Sequence, residues 1–233
     1  MIDCIDAIIV AAGAGKRLGS PVPKAFTPLA GKPLMLYSIE AFVSHNGIRS
    51  IIIVVPQSHL NEAAVLIASL EDPGRIRIAS GGAERWESVR NGIALSQAGW
   101  ILVHDAARPF VSRNVIDGVI AKRENYACVI TATPAVDTMR TFEGDKAGET
   151  VDRSKLVRVG TPQLFRRDIL YPILKEGSFN GAPTDEAMLM QQHGHDIGIA
   201  WGDARNFKIT TEADMEIAEA LLARSHQVPL GGE

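Results

Sequence analysis

Residues 13–19 read Gly13-Ala14-Gly15-Lys16-Arg17-Leu18-Gly19 and directly follow the apolar run Ala7-Ile8-Ile9-Val10-Ala11-Ala12. Glycines at such a place let backbone N–H groups close on a phosphate, because no Cβ stands in the way. The surrounding charge agrees: no Asp or Glu occurs from Ala7 to Ile39, whereas Lys16, Arg17, Lys24 and Lys32 all fall there, in a chain of formal net charge −3. A local cation patch in a mildly acidic chain points to an anionic ligand and away from nucleic acid, whose phosphates need a broad basic face. Spacing excludes two common phosphate loops. A Walker A loop would need glycine where Val10 stands, and Ser or Thr after Lys16, where Arg17 stands. A dinucleotide fingerprint would need glycine in place of Leu18 and an acid after the second apolar run, where the chain reads Val55-Pro56-Gln57-Ser58.

Further clusters carry groups able to do chemistry. Gly81-Gly82-Ala83-Glu84-Arg85-x-x-Ser88-Val89 offers open backbone followed by the first turn of a helix, and Val103-His104-Asp105-Ala106-Ala107-Arg108-Pro109 ends an apolar run on polar residues. Asp137-Thr138 and Val151-Asp152-Arg153 bracket a polar stretch. Gly160-Thr161-Pro162-Gln163, Thr184-Asp185-Glu186 and Asn206-Phe207-Lys208-Ile209-Thr210 read as element ends, the middle one as a helix N-cap with acidic first-turn residues. Other arrangements are set aside. Tyr171 and Lys175 have the spacing of a dehydrogenase pair, but Pro172 lies between them and no nicotinamide loop accompanies them. His104 and Asp105 lack the further ligands of a metal phosphohydrolase, and His193 and His195 read as surface residues near a turn. No protein-bound metal is expected. Cys4 and Cys128 fit neither a CxxC pair nor a metal-ligand spacing, and are read as reduced and buried.

The elements that must position these clusters alternate. Strand-like runs start at Ala7, Ile51 to Val55, Arg75 to Ala79, Trp100 to His104 and Ala127 to Ala132, with helix-like stretches at Pro33 to Ser44, Ser58 to Leu70, Glu84 to Gln97 and Arg113 to Arg123. Such alternation predicts an α/β fold, a Rossmann-like doubly wound, mostly parallel sheet. The rhythm breaks at Pro134 to Lys155, read as a β-hairpin arm with strand-like pieces at Asp137 to Phe142 and Glu149 to Asp152. It resumes through Arg166 to Lys175, Thr184 to His193, Ile197 to Trp201 and Glu212 to Ala223, leaving a tail from Ser225 to Glu233 that reads as frayed. The 233 residues, 46% hydrophobic and 22% charged, suit one domain over residues 1–233 with an insertion at about 134–155. No run of 18 apolar residues appears, and Asp3 and Asp6 stand where a secretory leader would carry basic residues. A cytoplasmic chain with no membrane partner is the expectation.

Ala11-Ala12-Gly13-x-Gly15-x-Arg17 followed by Pro23-Lys24 is similar to the nucleotidyltransferase signature, in which a backbone loop wraps a triphosphate. With the later clusters added in order, the chain resembles the 2-C-methyl-D-erythritol 4-phosphate cytidylyltransferase family of the non-mevalonate isoprenoid pathway, from Ala11 to Thr210. Leu18 stands where that family carries methionine and Ala25 where it carries glutamine; neither position bears charge.

The resemblance implies transfer of CMP from CTP to methylerythritol phosphate, with release of pyrophosphate. It implies catalytic roles for Arg17 and Lys24 at the α-phosphate. Ala11, Ala12, Gly13, Gly15, Gly82, Ser88 and Ala106 would wrap the nucleotide. Arg153 and Lys208 would hold the acceptor phosphate, with Asp105, Arg108, Thr138, Thr161 and Thr184 around its hydroxyls. Mg²⁺ would be held mainly by CTP phosphates, and the arm would pair two chains into a homodimer, lending Thr138 and Arg153 to the neighbouring site. Some relatives carry a second pathway enzyme at the C-terminus, and the ending Pro229-Leu230-Gly231-Gly232-Glu233 suggests a chain that stands alone. Within the same fold a ribitol-5-phosphate cytidylyltransferase is the nearest rival, and a CTP-sensing module without turnover is a further alternative.

Overall fold

Ile8, Ile9 and residues Ile51 to Val55 are fully buried, as continuous apolar runs covered on both faces must be. They belong to a computed structural model that describes residues 3–13, 22–179 and 181–227. The chain runs β1 (Ile5–Val10), a two-residue ladder β2 (Pro28–Leu29) and β3 (Lys32–Pro33), α1 (Leu34–Val43), β4 (Ile48–Val55), α2 (Leu60–Ala68), β5 (Ile76–Ser80), α3 (Arg85–Ala94) and β6 (Trp100–Asp105). It continues through α4 (Arg113–Ala121), β7 (Cys128–Pro134), β8 (Met139–Glu143), β9 (Lys146–Val151), β10 (Val157–Arg166), α5 (Arg167–Glu176), α6 (Glu186–Gln192), β11 (Ile197–Trp201) and α7 (Glu212–Gln227).

Among the described residues the main sheet has the order β11-β7-β10-β6-β1-β4-β5. All its pairings are parallel except those of β10, which is antiparallel to both β6 and β7. Side chains alternate across it. Ala7 and Ile9 of β1 face a core built with Met35, Ile39 and Phe42 of α1 and Val115, Ile116 and Val119 of α4. Ile8 faces a second core with Val89 and Ile93 of α3, Leu170 and Leu174 of α5, and Leu189 and Met190 of α6. Helices therefore cover both faces, as the alternation in the sequence predicts.

Strand β10 corrects the sequence reading, which placed Gly160-Thr161-Pro162-Gln163 at an element end. Pro162 has no N–H for a ladder and argues against a central strand. The β10–β7 pairing breaks register between Gly160 and Leu164, and Pro162 falls in that irregular stretch, where its missing donor leaves no gap in the ladder. Cys4 is also half-buried instead of buried, while Cys128 is in the core; both are free thiols. Helix α7 continues to Gln227, past the point where the tail was expected to begin, and 228–233 lie outside the described residues.

The arm is a separate antiparallel hairpin, β8 against β9, turning at Gly144, whose φ of 54° suits glycine. Its most exposed large apolar side chain, Phe142, is 82% exposed.

Candidate active site

From β1 the chain steps outward to β4 and β5, then crosses back to β6 on the other side of β1. The strand order reverses between β1 and β6, and in open α/β sheets a crevice opens at the carboxyl ends of such a pair. A cavity of about 450 Å³ lies there. Its lining draws together Ala11, Ala12, Gly13, Lys24, Gly82, Ser88, Asp105, Ala106 and Lys208, nine of the positions singled out from the sequence. Gly15 and Arg17 lie outside the described residues.

One wall is backbone. The Ala11 N–H donates to Val54 O at 2.8 Å and the Ala106 N–H to Val10 O at 3.0 Å, so both segments continue their strands into the cavity rim. Gly81 and Gly82 approach from α3. A Cβ on Gly81 would stand 2.5 Å from Ala12 Cβ, so glycine is required there for the two loops to meet; one on Gly82 would stand 2.4 Å from Glu87 Cβ, so glycine lets the chain turn tightly into α3. Ser88 secures that loop: its hydroxyl accepts from the Gly82 N–H at 3.1 Å and donates to Glu84 O at 3.3 Å. Glu84 and Glu87 form a capping box at the start of α3.

The opposite wall is charged. Asp105, at the last position of β6, accepts from Arg85 Nη2 at 3.2 Å and Nε at 3.3 Å through Oδ1, and from Lys208 Nζ at 2.8 Å through Oδ2. Arg108 Nε stands 3.9 Å from Oδ2. Burial would raise the Asp105 carboxyl, but Arg85, Lys208 and Arg108 together hold it far below the usual carboxylate range, so it stays ionised. Arg85 also donates through Nη1 to both oxygens of Glu186, at 2.9 and 2.6 Å. Glu186 begins α6 and is 1% exposed. Burial pushes its carboxyl up, with Arg85 pulling the other way. One guanidinium thus ties the starts of α3 and α6 to the end of β6.

Lys208 is delivered by a segment pinned at both ends. The Ile209 N–H donates to Ala107 O at 2.9 Å, Asn206 Nδ2 to Thr161 O at 2.8 Å, and Arg108 Nη1 to Asn206 O at 3.0 Å. Across the cavity Lys24 Nζ donates to Ile209 O at 3.0 Å, which holds the ammonium over the same opening.

Other predicted site residues lie elsewhere. Thr161 is buried, and its hydroxyl accepts from the Asp105 N–H at 3.1 Å and meets His104 Nδ1 at 3.0 Å, while His104 Nε2 meets Arg108 O at 3.1 Å. Burial lowers His104 to about 4, so the ring is neutral, and the network assigns the proton to Nε2 with Nδ1 accepting from Thr161. Thr184 is exposed before α6, its hydroxyl 3.8 Å from Met188 Sδ. Thr138 and Arg153 are exposed on the arm, and Arg153 Nη1 donates to Val136 O at 2.5 Å. Neither lines the cavity of its own chain. Arg85 and Glu186, read in the sequence merely as first-turn helix residues, are the pair that sequence reasoning missed.

The family model described as 2-C-methyl-D-erythritol 4-phosphate cytidylyltransferase matches residues 5–224. This chain belongs to that family. The curated 2-C-methyl-D-erythritol 4-phosphate cytidylyltransferase of Bacteroides thetaiotaomicron is 37% identical over 216 residues, 92% of this chain and 98% of that protein. That of Bacillus velezensis is 36% identical over 218 residues, 92% and 94% of the two chains. Among solved structures, the 4-diphosphocytidyl-2C-methyl-D-erythritol synthase of Anaerococcus prevotii superposes with a TM-score of 0.83 at 26% identity, covering 95% of this chain and 99% of its own. As a member of the 2-C-methyl-D-erythritol 4-phosphate cytidylyltransferase family, the chain is a nucleotide-transferring enzyme on a mostly parallel α/β sheet.

Proposed function

We propose that the cavity between β1 and β6 transfers CMP from CTP to 2-C-methyl-D-erythritol 4-phosphate, giving 4-diphosphocytidyl-2-C-methyl-D-erythritol and pyrophosphate. An acceptor phosphate oxygen attacks the α-phosphorus in line, the bond from that phosphorus to the bridging oxygen breaks, and pyrophosphate departs with the electron pair. The attacking phosphate is already ionised, so no general base is required. The work left to the protein is to bring two anions together and hold them aligned. The observation that carries this reading is the convergence of Lys24 and Lys208 on one cavity whose other wall is open backbone, in a member of this family.

Ala11, Ala12, Gly13, Gly82 and Ala106 wrap the nucleotide by main chain, and Ser88 keeps their loop in shape. Lys24, with Arg17 from the adjoining glycine segment, stabilises charge building on the α-phosphate and the leaving group. Lys208 receives the acceptor phosphate beside Asp105, with Arg108 toward its hydroxyls. Thr161 acts by holding Asp105. Among the described residues no group of three or more His, Cys, Asp or Glu could hold a metal ion, and 14–21 contain no acid. The carboxylates at the cavity are Glu84, which caps α3, and Asp105, already neutralised by Arg85 and Lys208. That donor set fits Mg²⁺ as a companion of the triphosphate, with phosphate oxygens and water as ligands. When bound, it supplies charge neutralisation on the departing pyrophosphate. No helix among the described residues is long and apolar enough to cross a membrane, and we place the reaction in the cytoplasm.

The arm supports a homodimer with shared sites. A lone two-stranded hairpin is marginal in water, and this one carries exposed Phe142 and Met139. Thr138 and Arg153 then act in the neighbouring subunit's site. Mixing inactive Lys24→Ala and Arg153→Ala chains under confirmed subunit exchange is expected to restore part of the activity, because each heterodimer assembles one intact site. Mixtures as inactive as their parents would refute shared sites.

The deciding assay measures pyrophosphate release from CTP and Mg²⁺ with methylerythritol phosphate, beside reactions with ribitol 5-phosphate, with no acceptor, and with ATP or UTP in place of CTP. Release confined to CTP with methylerythritol phosphate is the expected result. Release with ribitol 5-phosphate instead would overturn the acceptor. CTP binding without release in any reaction would overturn turnover itself.

A further inference from the structure

A second cavity of about 210 Å³ adjoins the first, and Lys208 lines both. With the acceptor phosphate at Lys208, its carbon chain extends into this second space, and the inference below rests on that assignment. Arg108 and Arg158 stand on the wall here. In the ladder of β10 with β7, Arg158 pairs with Thr133 and Gly160 with Thr131, so positions 158 and 160 share one face of the strand. A Cβ on Gly160 would stand 3.5 Å from Arg108 Nη1. That is ordinary van der Waals contact, so the Arg108 guanidinium lies directly against the strand face that also carries Arg158.

Two like charges on one wall repel. Burial, and then Arg158 itself, push Arg108 down from its ordinary value, against the pull of Asp105. The acids nearby are engaged elsewhere. Asp203 accepts from Arg205 at 2.7 and 3.1 Å, and Asp214 Oδ2 accepts from the Thr210 and Thr211 N–H groups at 2.8 Å each. Arg108 Nε is buried without a hydrogen-bond partner, its nearest ion-pair contact being Asp105 at 3.9 Å. Among the described residues none accepts a hydrogen bond or an ion pair from the Arg158 guanidinium. Nothing in the packing of this chain calls for a cation at 158, and its neighbour across the wall is worse off for it.

We propose that Arg158 is an acceptor-binding residue: its guanidinium donates to the hydroxyls of the polyol chain and adds, with Arg108 and Lys208, to the field that draws in the phosphate dianion. Because the Arg158 side chain makes no contact that holds the fold, its substitution separates binding from folding.

The test is steady-state kinetics of the full chain and of Arg158→Gln and Arg158→Lys, with acceptor and CTP each varied and urea unfolding run in parallel. The Gln variant is expected to raise the acceptor KM about 10-fold, as loss of a charged donor does, with kcat and the CTP KM within about two-fold of wild type. The Lys variant should fall between, and the acceptor kcat/KM of the Gln variant should depend less on salt. An unchanged acceptor KM, an equal rise in the CTP KM, or a lowered urea midpoint in the Gln variant would each overturn the proposal. A wild-type chain that fails to transfer CMP to this acceptor would instead overturn the functional reading on which it rests.

Discussion

Lys24→Ala should lower kcat by about 10²- to 10³-fold, the loss seen when one preorganised donor to a developing oxyanion is removed. The reasoning is electrostatic. Two anions must approach while charge shifts from the α-phosphorus to the leaving pyrophosphate, and a cation fixed in advance needs no reorganisation at that moment. Lys24 is fixed: it sits in a short helical turn behind Pro23, with Nζ held by Ile209 O at 3.0 Å. Measured kcat and KM separate the possible roles. A fall in kcat and kcat/KM by the same factor places Lys24 in the transition state. A normal kcat with a raised CTP KM would reduce it to a ground-state contact and contradict the mechanism. Lys24→Arg should recover only part of the rate, since a planar fork replaces a point charge.

Arg85→Ala should cost about 3–5 kcal/mol of stability, the loss expected when a buried ion pair is broken by removing one partner. Glu186 keeps its buried position and loses the guanidinium that meets both its oxygens, while Asp105 loses two of its donors. Urea unfolding of the purified chain would read this as a lowered midpoint at unchanged slope. The double variant Arg85→Leu with Glu186→Leu should regain much of that stability, because an apolar pair of similar volume removes the unpaired charge. It should not regain activity, because Asp105 still lacks its clamp. Equal stability of Arg85→Ala and wild type would mean that Glu186 finds another partner or takes up a proton, and the clamp would be refuted.

Much of the fold was legible because its strands are local signals. Ile51 to Val55 is β-branched throughout and can be read without knowing its neighbours. Strand β10 was not, because Gly160 and Pro162 carry the signature of a turn and the register break that accommodates them exists only once β7 lies alongside. The site divides the same way. Ala11 to Gly13, Gly82, Asp105 and Ala106 follow strand ends or precede helices, so their sequence position already puts them at the carboxyl edge. The bond between Arg85 and Glu186 spans a separation of 101 residues, and neither looks like more than a helix-start charge until α3 and α6 pack together. Thr138 and Arg153 could not be placed by one chain's own packing, since among the described residues both are exposed and line neither cavity.

Strand β10 is a single rod shared between two tasks. Its far half, from Leu164, is locked between β6 and β7, while its near half walls the second cavity and receives the chain from the arm. Length changes therefore meet very different fates along a few residues. The turn at Gly144 can take or lose residues and leave the strand where it is. With the far half locked, a single insertion between Arg158 and Gly160 would turn Arg158 to the opposite face while Gly160 stays beside Arg108, because side chains alternate with a period of two. The arm can thus change length at its tip without disturbing the wall that Arg158 and Gly160 line, whereas its root tolerates no change in residue count.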